Sequence, residues 1–205
     1  LTSDSIEVCL DPVWSPDGRH IIFARAAVSP RLKAVMGNRR LLMKDIKTPI
    51  KDLNRLYRIR YDLYAIPFNN GRGGTPVPVR GASFNGSSNY FPRVSPDGKW
   101  IVFNRSDTGI VAQPTAELYI VPFGGGTARR MTCNTSHYNS WHSFAPNGRW
   151  MVFTSKVNTP YTQLFLTHID EHGISSPPVL LWRFHNAERA AVIPEFLNAA
   201  PDALT

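Results

Sequence analysis

Short apolar runs separated by turn-forming residues recur along this chain. The run Trp100-Ile-Val-Phe103 is apolar at every position, which is typical of a strand buried on both faces. It follows Ser-Pro-Asp-Gly at 95–98, where Pro presets φ, Asp bonds to nearby backbone and Gly accepts a positive φ. With 17 Pro, 14 Gly and 11% aromatic side chains in 205 residues, the pattern favours many short strands over long helices.

The pattern occurs three times along the chain, each time as a motif of two parts. In its first half, a Pro-Asp-Gly or Pro-Asn-Gly turn joins two strands, and in its second half an apolar strand runs into a Gly-containing turn. The first halves lie at 12–23, 92–103 and 141–153, and the second halves lie at 61–68, 116–123 and 162–169. Each repeat therefore predicts a four-stranded antiparallel sheet of about 40–50 residues, the size of a β-propeller blade. A β-sandwich is the alternative, but chance similarity does not readily give three ordered copies.

We therefore predict an all-β fold, a β-propeller with three blades of four antiparallel strands. The blades cover 11–80, 81–131 and 132–182, residues 1–10 are a candidate strand of a preceding blade, and 183–205 form a C-terminal tail. The tail holds a helix-compatible run at 187–192 and is expected to lie over a blade or pass to a neighbouring chain. Propellers typically close with four to eight blades, so the partial ring needs further blades from a longer parent chain or from another chain.

The motif Ser-Pro-Asp-Gly-Lys/Arg-x-Ile-x-Phe, followed by Leu-Tyr and a Gly turn, resembles the WD-like repeat of TolB-type β-propellers over most of 11–182. This resemblance implies a six-bladed ring, of which three blades are half. The stretch from 138–143 through 193–198 also resembles the closing region of uncharacterised bacterial propeller proteins. That resemblance implies a periplasmic or extracellular location beside multihaem cytochrome modules.

The net charge of +8 comes from one segment. Residues 26–60 hold ten basic and two acidic side chains. They lie between the two halves of the first repeat, where the chain carries an insertion of about 25 residues relative to the other repeats. We interpret the insertion as an arm that docks on an acidic surface of a protein partner, such as a multihaem cytochrome, or on an anionic lipid face. The predicted contact residues are Arg31, Lys33, Arg39, Arg40, Lys44, Lys47, Lys51, Arg55 and Arg58. A solvated loop is the alternative, and nucleic acid is disfavoured because only Tyr57 is aromatic there.

Catalytic and cofactor motifs are missing from the sequence. It has no Gly-x-Ser-x-Gly, no phosphate-binding Gly-rich loop, no Cys-x-x-Cys-His and no apolar run long enough to span a bilayer. His168 and His172 straddle a strand end and a turn, so we do not expect a joint metal site. Cys9 and Cys133 leave two interpretations open, a long-range disulfide or two buried thiols.

These observations predict a non-catalytic scaffold that binds proteins in a bacterial periplasmic or extracellular assembly, without a cofactor. The alternative is the propeller section of a larger multihaem redox enzyme whose haem domains lie outside this chain. A third option, a propeller attached to a peptidase, would require a Gly-x-Ser-x-Gly motif elsewhere in the parent protein.

Overall fold

The computed structural model describes residues 7–27, 58–110, 112–186 and 188–198, and their strands form three four-stranded antiparallel sheets. The first sheet contains β1 (Glu7–Trp14), β2 (His20–Ala27), β3 (Asp62–Pro67) and β4 (Val77–Pro78), in that order. The second contains β5 (Ser88–Val94), β6 (Trp100–Ser106), β7 (Glu117–Pro122) and β8 (Arg129–Arg130). The third contains β9 (Asn139–Phe144), β10 (Trp150–Ser155), β11 (Gln163–His168) and β12 (Val179–Leu180). Short 3-10 turns lie at Asn69–Gly71 and Trp182–Phe184.

The predicted Pro-Asp-Gly turns have the expected chemistry. Asp17 Oδ1 accepts hydrogen bonds from Ser15 Oγ at 2.5 Å and from the Arg19 backbone N–H at 3.0 Å. Gly18 follows with a φ of 68°, in the left-handed region that glycine enters without a steric penalty. The turn residues therefore serve the hairpins, as the sequence predicted.

The first strand of each sheet carries a bulge at the same position. Asp11, Phe91 and Trp141 have φ values of 51°, 52° and 52°, and the pairing with the neighbouring strand shifts register there. A bulge leaves one residue outside the regular ladder and bends the strand. The bulge residues consequently present their backbone and side chains to the neighbouring sheets.

The core lies between successive sheets. Along β6, Ile101 and Phe103 join the cluster shared with the first sheet, whereas Val102 joins the cluster shared with the third. All three side chains are fully buried, which confirms a strand buried on both faces. A smaller cluster of Ile21, Phe23 and Ile66 lies on the other face of the first sheet.

Backbone hydrogen bonds join neighbouring sheets at equivalent points. The N–H of Asn89 donates to Tyr61 O at 2.7 Å, and the N–H of Asn139 donates to Ala116 O at 2.8 Å. Asn104 adds a buried side-chain contact, donating from Nδ2 to Asn139 O at 2.6 Å. Three sheets stacked face to face in this way form three blades of a partial propeller ring.

Two expectations for the chain ends need correction. Glu7–Leu10 do not belong to a preceding blade, because they pair with Ala24–Ala27 inside the first sheet. The bulge at Asp11 lets β1 continue from Glu7–Leu10 into the first repeat, which begins at Pro12. In the tail, residues 188–192 form no helix, and the N–H of Ala191 instead donates to Thr162 O at 2.9 Å in the third blade.

Candidate functional site

One rim of the blades carries the loops between their second and third strands. Strand direction alternates in an antiparallel sheet, so the β2–β3, β6–β7 and β10–β11 loops emerge together, opposite the Pro-Asp-Gly turns. We call this edge the insertion rim. The predicted docking arm lies within the β2–β3 loop and therefore leaves the fold at this rim.

Eight of the nine predicted contact residues lie outside the described residues: Arg31, Lys33, Arg39, Arg40, Lys44, Lys47, Lys51 and Arg55. The ninth, Arg58, is exposed on the insertion rim and has a φ of 45°. The docking role of this set stays a prediction.

The end of the insertion is fixed against the second blade. Ile59 O accepts hydrogen bonds from the Gly109 N–H at 2.6 Å and from Thr108 Oγ1 at 2.9 Å. Arg60 Nε donates to Asp107 O at 3.1 Å. These bonds tie the returning chain to the β6–β7 loop before β3 begins, which sets where the insertion meets the rim.

A cleft of about 400 Å³ opens on the same rim between the second and third blades. Its walls come from the β6–β7 loop (Ala112, Pro114), the segment before β9 (His137, Tyr138) and residues 156–160. Among the residues that the structure describes, Lys156, His137 and Tyr138 are the ionisable side chains that line the cleft, and none is a carboxylate. The cleft is therefore suited to an anionic group.

Tyr138 forms the floor between these walls. Its carbonyl oxygen accepts the N–H of Lys156 at 3.3 Å, and the Lys156 ammonium lies 5.5 Å from the centre of its ring. Burial raises the pKa of the Tyr138 hydroxyl, so the ring stays neutral beside the lysine. The positive charge at the cleft therefore remains available to a ligand.

A second cluster lies on β1, β5 and β9, the first strands of the three blades, which we call the inner strands. Asp11 Oδ2 accepts the Phe91 N–H at 3.1 Å, and the Phe91 ring meets those of Trp141 and His142 edge-on at 5.2 and 5.3 Å. His142 is buried, with Nε2 3.0 Å from Val102 O, and burial lowers its pKa to about 3. The Phe91 N–H and His142 Nε2 have partners, whereas His142 Nδ1 is buried and has no hydrogen-bond partner among the described residues. The ring contacts join the blades at the inner edge. Sequence reasoning missed the cluster, although Asp11, Phe91 and Trp141 occupy the same position in the three repeats.

The two cysteines are not brought together. Cys9 lies exposed on β1, whereas Cys133 is buried in the core between the second and third blades, and no disulfide joins them. Burial raises the pKa of the Cys133 thiol to about 11. The alternative of two buried thiols fits Cys133 and not Cys9.

The histidines and acids of the described residues do not cluster for metal binding. Within 7–27, 58–110, 112–186 and 188–198, no three His, Cys, Asp or Glu side chains are placed to hold a metal ion. His168 packs edge-on against Trp150 at 5.1 Å, while His172 is exposed. The same part of the chain contains no helix with the length and apolarity needed to cross a membrane.

Comparison with known proteins gives a match at the level of structure. No protein-family model and no curated protein matches the sequence. The structure of putative TolB from Agrobacterium tumefaciens aligns with a TM-score of 0.50 and 19% identity over 88% of this chain and 50% of that one. The fold is a TolB-like β-propeller. The predicted fold class, an all-β partial propeller, is confirmed.

Other solved structures align over similar shares of the chain. TolB from Acinetobacter baumannii has a TM-score of 0.49 and 20% identity, over 83% of this chain and 32% of that one. Prolyl oligopeptidase B from Galerina marginata, bound to a 25mer macrocyclization substrate, has a TM-score of 0.50 and 12% identity over 88% of this chain and 23% of that one. This chain thus spans between about a third and a half of the TolB chains.

Proposed function

We propose that this TolB-like partial propeller is a non-catalytic scaffold module that binds an acidic protein surface through the insertion rim. The observation that carries the proposal is the meeting of two positive features at one edge. The insertion carries a net charge of +8 and lies in sequence between β2 and β3, which join at this rim. Among the described residues, the cleft on the same rim is lined by Lys156 and His137 and by no carboxylate. A surface of one sign attracts and orients a partner of the opposite sign.

The ordered end of the insertion supports the same proposal. Because Ile59 and Arg60 are bonded to the β6–β7 loop, the arm ends at a defined point on the loop that also lines the cleft. A partner that contacts the arm is thereby held close to the cleft, where an acidic side chain fits beside the Lys156 ammonium. Binding residues on loops above a rigid sheet scaffold are a common arrangement.

We place the assembly in the bacterial periplasm or outside the cell, in line with the resemblance of the repeats to TolB-type propellers. Fractionation of the native host, followed by immunodetection of this chain, tests the location. A cytoplasmic signal would overturn this part of the proposal and leave the rim proposal standing.

The rim proposal is tested by neutralising four charges of the insertion, with Arg39, Arg40, Lys44 and Lys47 replaced by Ser. The probe is an immobilised poly-glutamate peptide, followed by co-purification from a periplasmic extract at low and moderate salt. Four exposed ion pairs of roughly 0.3–0.5 kcal/mol each amount to about a tenfold weaker Kd. Binding by the unsubstituted chain should also weaken as salt rises.

A matched control removes four charges from the opposite rim. Arg19, Arg72, Lys99 and Arg149 are all exposed there, and their replacement by Ser changes the net charge equally. The control should retain binding. An equal loss in both variants would mean that net charge alone drives the association, and a salt-insensitive association would also overturn the proposal.

The multihaem partner and the redox-enzyme alternative stay predictions. The parent protein distinguishes them, because covalent haem attachment requires Cys-x-x-Cys-His motifs outside this chain. A Gly-x-Ser-x-Gly motif in the parent would instead favour a peptidase with an attached propeller.

A further inference from the structure

The C-terminal tail follows the third blade in the way that each blade follows the one before it. A backbone hydrogen bond joins each inner strand to the blade before it. The acceptor is the carbonyl oxygen of the residue two positions before the Leu of the second half-motif. The three bonds are Asn89 N–H to Tyr61 O at 2.7 Å, Asn139 N–H to Ala116 O at 2.8 Å, and Ala191 N–H to Thr162 O at 2.9 Å. Ala191 thus occupies the place of Asn89 and Asn139.

The bulge also recurs in the tail. Two residues after Asn89 and Asn139 come the left-handed residues Phe91 and Trp141, and two residues after Ala191 comes Ile193, with a φ of 51°. A positive φ is unusual for a β-branched side chain, so its recurrence at this position is specific. Pro194 follows Ile193 as Pro92 follows Phe91.

The connection that leads into the tail has the same geometry as the earlier ones. The residue directly after the last strand of each sheet donates its N–H to the carbonyl oxygen of the Leu in the second half-motif. These bonds are Val79 N–H to Leu63 O at 2.8 Å, Met131 N–H to Leu118 O at 3.0 Å, and Leu181 N–H to Leu164 O at 2.9 Å. The chain therefore leaves the third blade on the path it takes between blades.

We infer that residues 191–196 are the innermost strand of a fourth blade. Glu195 fixes this strand to the existing ring: its carboxylate accepts a hydrogen bond from Ser143 Oγ at 2.7 Å and lies 3.6 Å from Arg93 Nη2. Ser143 and Arg93 hold the equivalent positions on the inner strands of the third and second blades. The tail is thus the next member of the inner ring of strands.

The fourth inner strand has no second strand beside it in the described part of the chain. None of the three sheets includes residues 191–196. Val192 is 57% exposed and Ile193 is 53% exposed, whereas the equivalent Tyr90 and Phe91 are 2% and 8% exposed. The difference marks the surface that a blade would cover.

The strand that would pair with residues 191–196 is the second strand of the same fourth blade, which the parent protein supplies beyond Thr205. Each earlier inner strand pairs with the strand that follows it along the chain, namely β2, β6 and β10. The second strand of a blade is a central strand, and the second strands of the described blades, β2, β6 and β10, are each paired on both edges, so a second copy of the chain has no such described strand to lend. The strand needed is antiparallel and apolar on both faces.

Hydrogen exchange tests this inference, which does not depend on the acidic partner. Amides of residues 192, 193 and 195–197 are measured in this chain and in the parent protein extended beyond Thr205, since Pro194 has no N–H. We expect exchange of these amides to be at least a hundredfold slower, on the order of a core strand, in the extended form. Peptides from β6 should exchange equally in the two forms and serve as the internal control.

The outcomes separate the possible occupants. Unchanged exchange in the extended parent would overturn the inference. Protection that already occurs in this chain and rises with its concentration, together with a dimer by light scattering, would assign the edge to a second copy and also overturn it. As an independent readout, the parent sequence after Thr205 should contain an apolar strand and a Leu-Tyr half-motif with a Gly turn.

Discussion

Asp11 and Phe91 meet across the first two blades, where Asp11 Oδ2 accepts the Phe91 backbone N–H at 3.1 Å. Both residues are bulge residues, so the N–H of Phe91 is turned out of its own ladder and toward the neighbouring inner strand. Burial raises the pKa of the Asp11 carboxyl, although the bond from Phe91 and the charge of Arg93 oppose the shift. The folded protein therefore binds this proton more tightly than the unfolded chain does.

Replacing Asp11 by Asn should make the protein relatively more stable as the pH rises. A raised folded pKa means that stability is lost as the pH increases from the ordinary aspartate pKa of about 3.9 through the folded value. The Asn side chain keeps an acceptor oxygen for Phe91 and cannot ionise. Urea unfolding between about pH 4 and pH 7 should show the free energy of unfolding of the variant rising relative to the unsubstituted protein.

Asp17 provides a control of opposite sign. Its hydrogen bonds from Ser15 and then Arg19 lower the pKa of the carboxyl. Stability from this group is present above the unfolded pKa and is lost as the pH falls through the lowered value. Asp17→Asn should therefore lose stability relative to the unsubstituted protein as the pH rises toward 3.9. A flat profile for Asp11→Asn would contradict the role assigned to burial.

His142 should make the fold sensitive to acid. Burial lowers its pKa to about 3, with Arg93 adding to the effect, so the folded state keeps the ring neutral well below the unfolded pKa of about 6.5. Stability from this group is therefore present above pH 6.5 and is lost as the pH falls toward 3, at up to about 1.4 kcal/mol per pH unit.

His142→Gln should reduce that acid dependence. The amide can still donate to Val102 O, which the His142 ring meets at 3.0 Å, but it does not titrate. Unfolding free energies between pH 6.5 and pH 4 check the expectation, with the exposed His172→Gln as the matched control. A slope as steep in His142→Gln as in the unsubstituted protein would exclude His142 as the cause.

Sequence reasoning found the sheets because their turns are local. In Ser-Pro-Asp-Gly the four residues that make the turn are neighbours, so their chemistry can be read without the rest of the fold. The contact between Asp11 and Phe91 joins residues 80 apart, and it depends on two bulges that no local residue preference dictates. Such a contact appears only once the blades are packed.

In the C-terminal tail, the local sequence pointed to the wrong element. Residues 187–192 suit a helix by composition, and the fourth inner strand lacks the Pro-Asp-Gly turn that marks the others directly after it. Its similarity is confined to Ile193-Pro194 and the aromatic Phe196, which is too short to distinguish from chance. The shared bond to Thr162 and the left-handed Ile193 supply the missing signal, and both are properties of the backbone.

Arg105 should not be replaceable by Lys without a loss of stability. Its guanidinium lies 4.0 Å from the centre of the Tyr119 ring, donates from Nη2 to Gly81 O at 2.8 Å and from Nε to Asn89 Oδ1 at 3.2 Å. A lysine ammonium cannot stack on the ring and reach two acceptors in this planar geometry. Arg105→Lys should lower the free energy of unfolding by about 1–2 kcal/mol. The exposed Arg149→Lys should stay within about 0.5 kcal/mol, and equal effects would contradict the stacked role.

Gly81 and Gly86 should respond very differently to Ala, although their φ values of 89° and 79° are similar. A Cβ at Gly81 would overlap the carbonyl oxygen of Gly126 in the second blade, whereas nothing lies within 4 Å of a Cβ at Gly86. The shared left-handed backbone costs an alanine about 1–2 kcal/mol at either position. Overlap with a neighbouring backbone should add about 1–3 kcal/mol at Gly81 alone.

The pair therefore separates backbone strain from blade packing. Urea unfolding of Gly86→Ala measures the strain, and the further loss in Gly81→Ala measures how closely the first connection approaches the second blade. Because Gly81 O also accepts the Arg105 bond, Gly81→Ala and Arg105→Lys should be non-additive when combined. Equal losses in the two alanine variants would mean that the connection moves away freely, and the close packing between the blades would then not be required for stability.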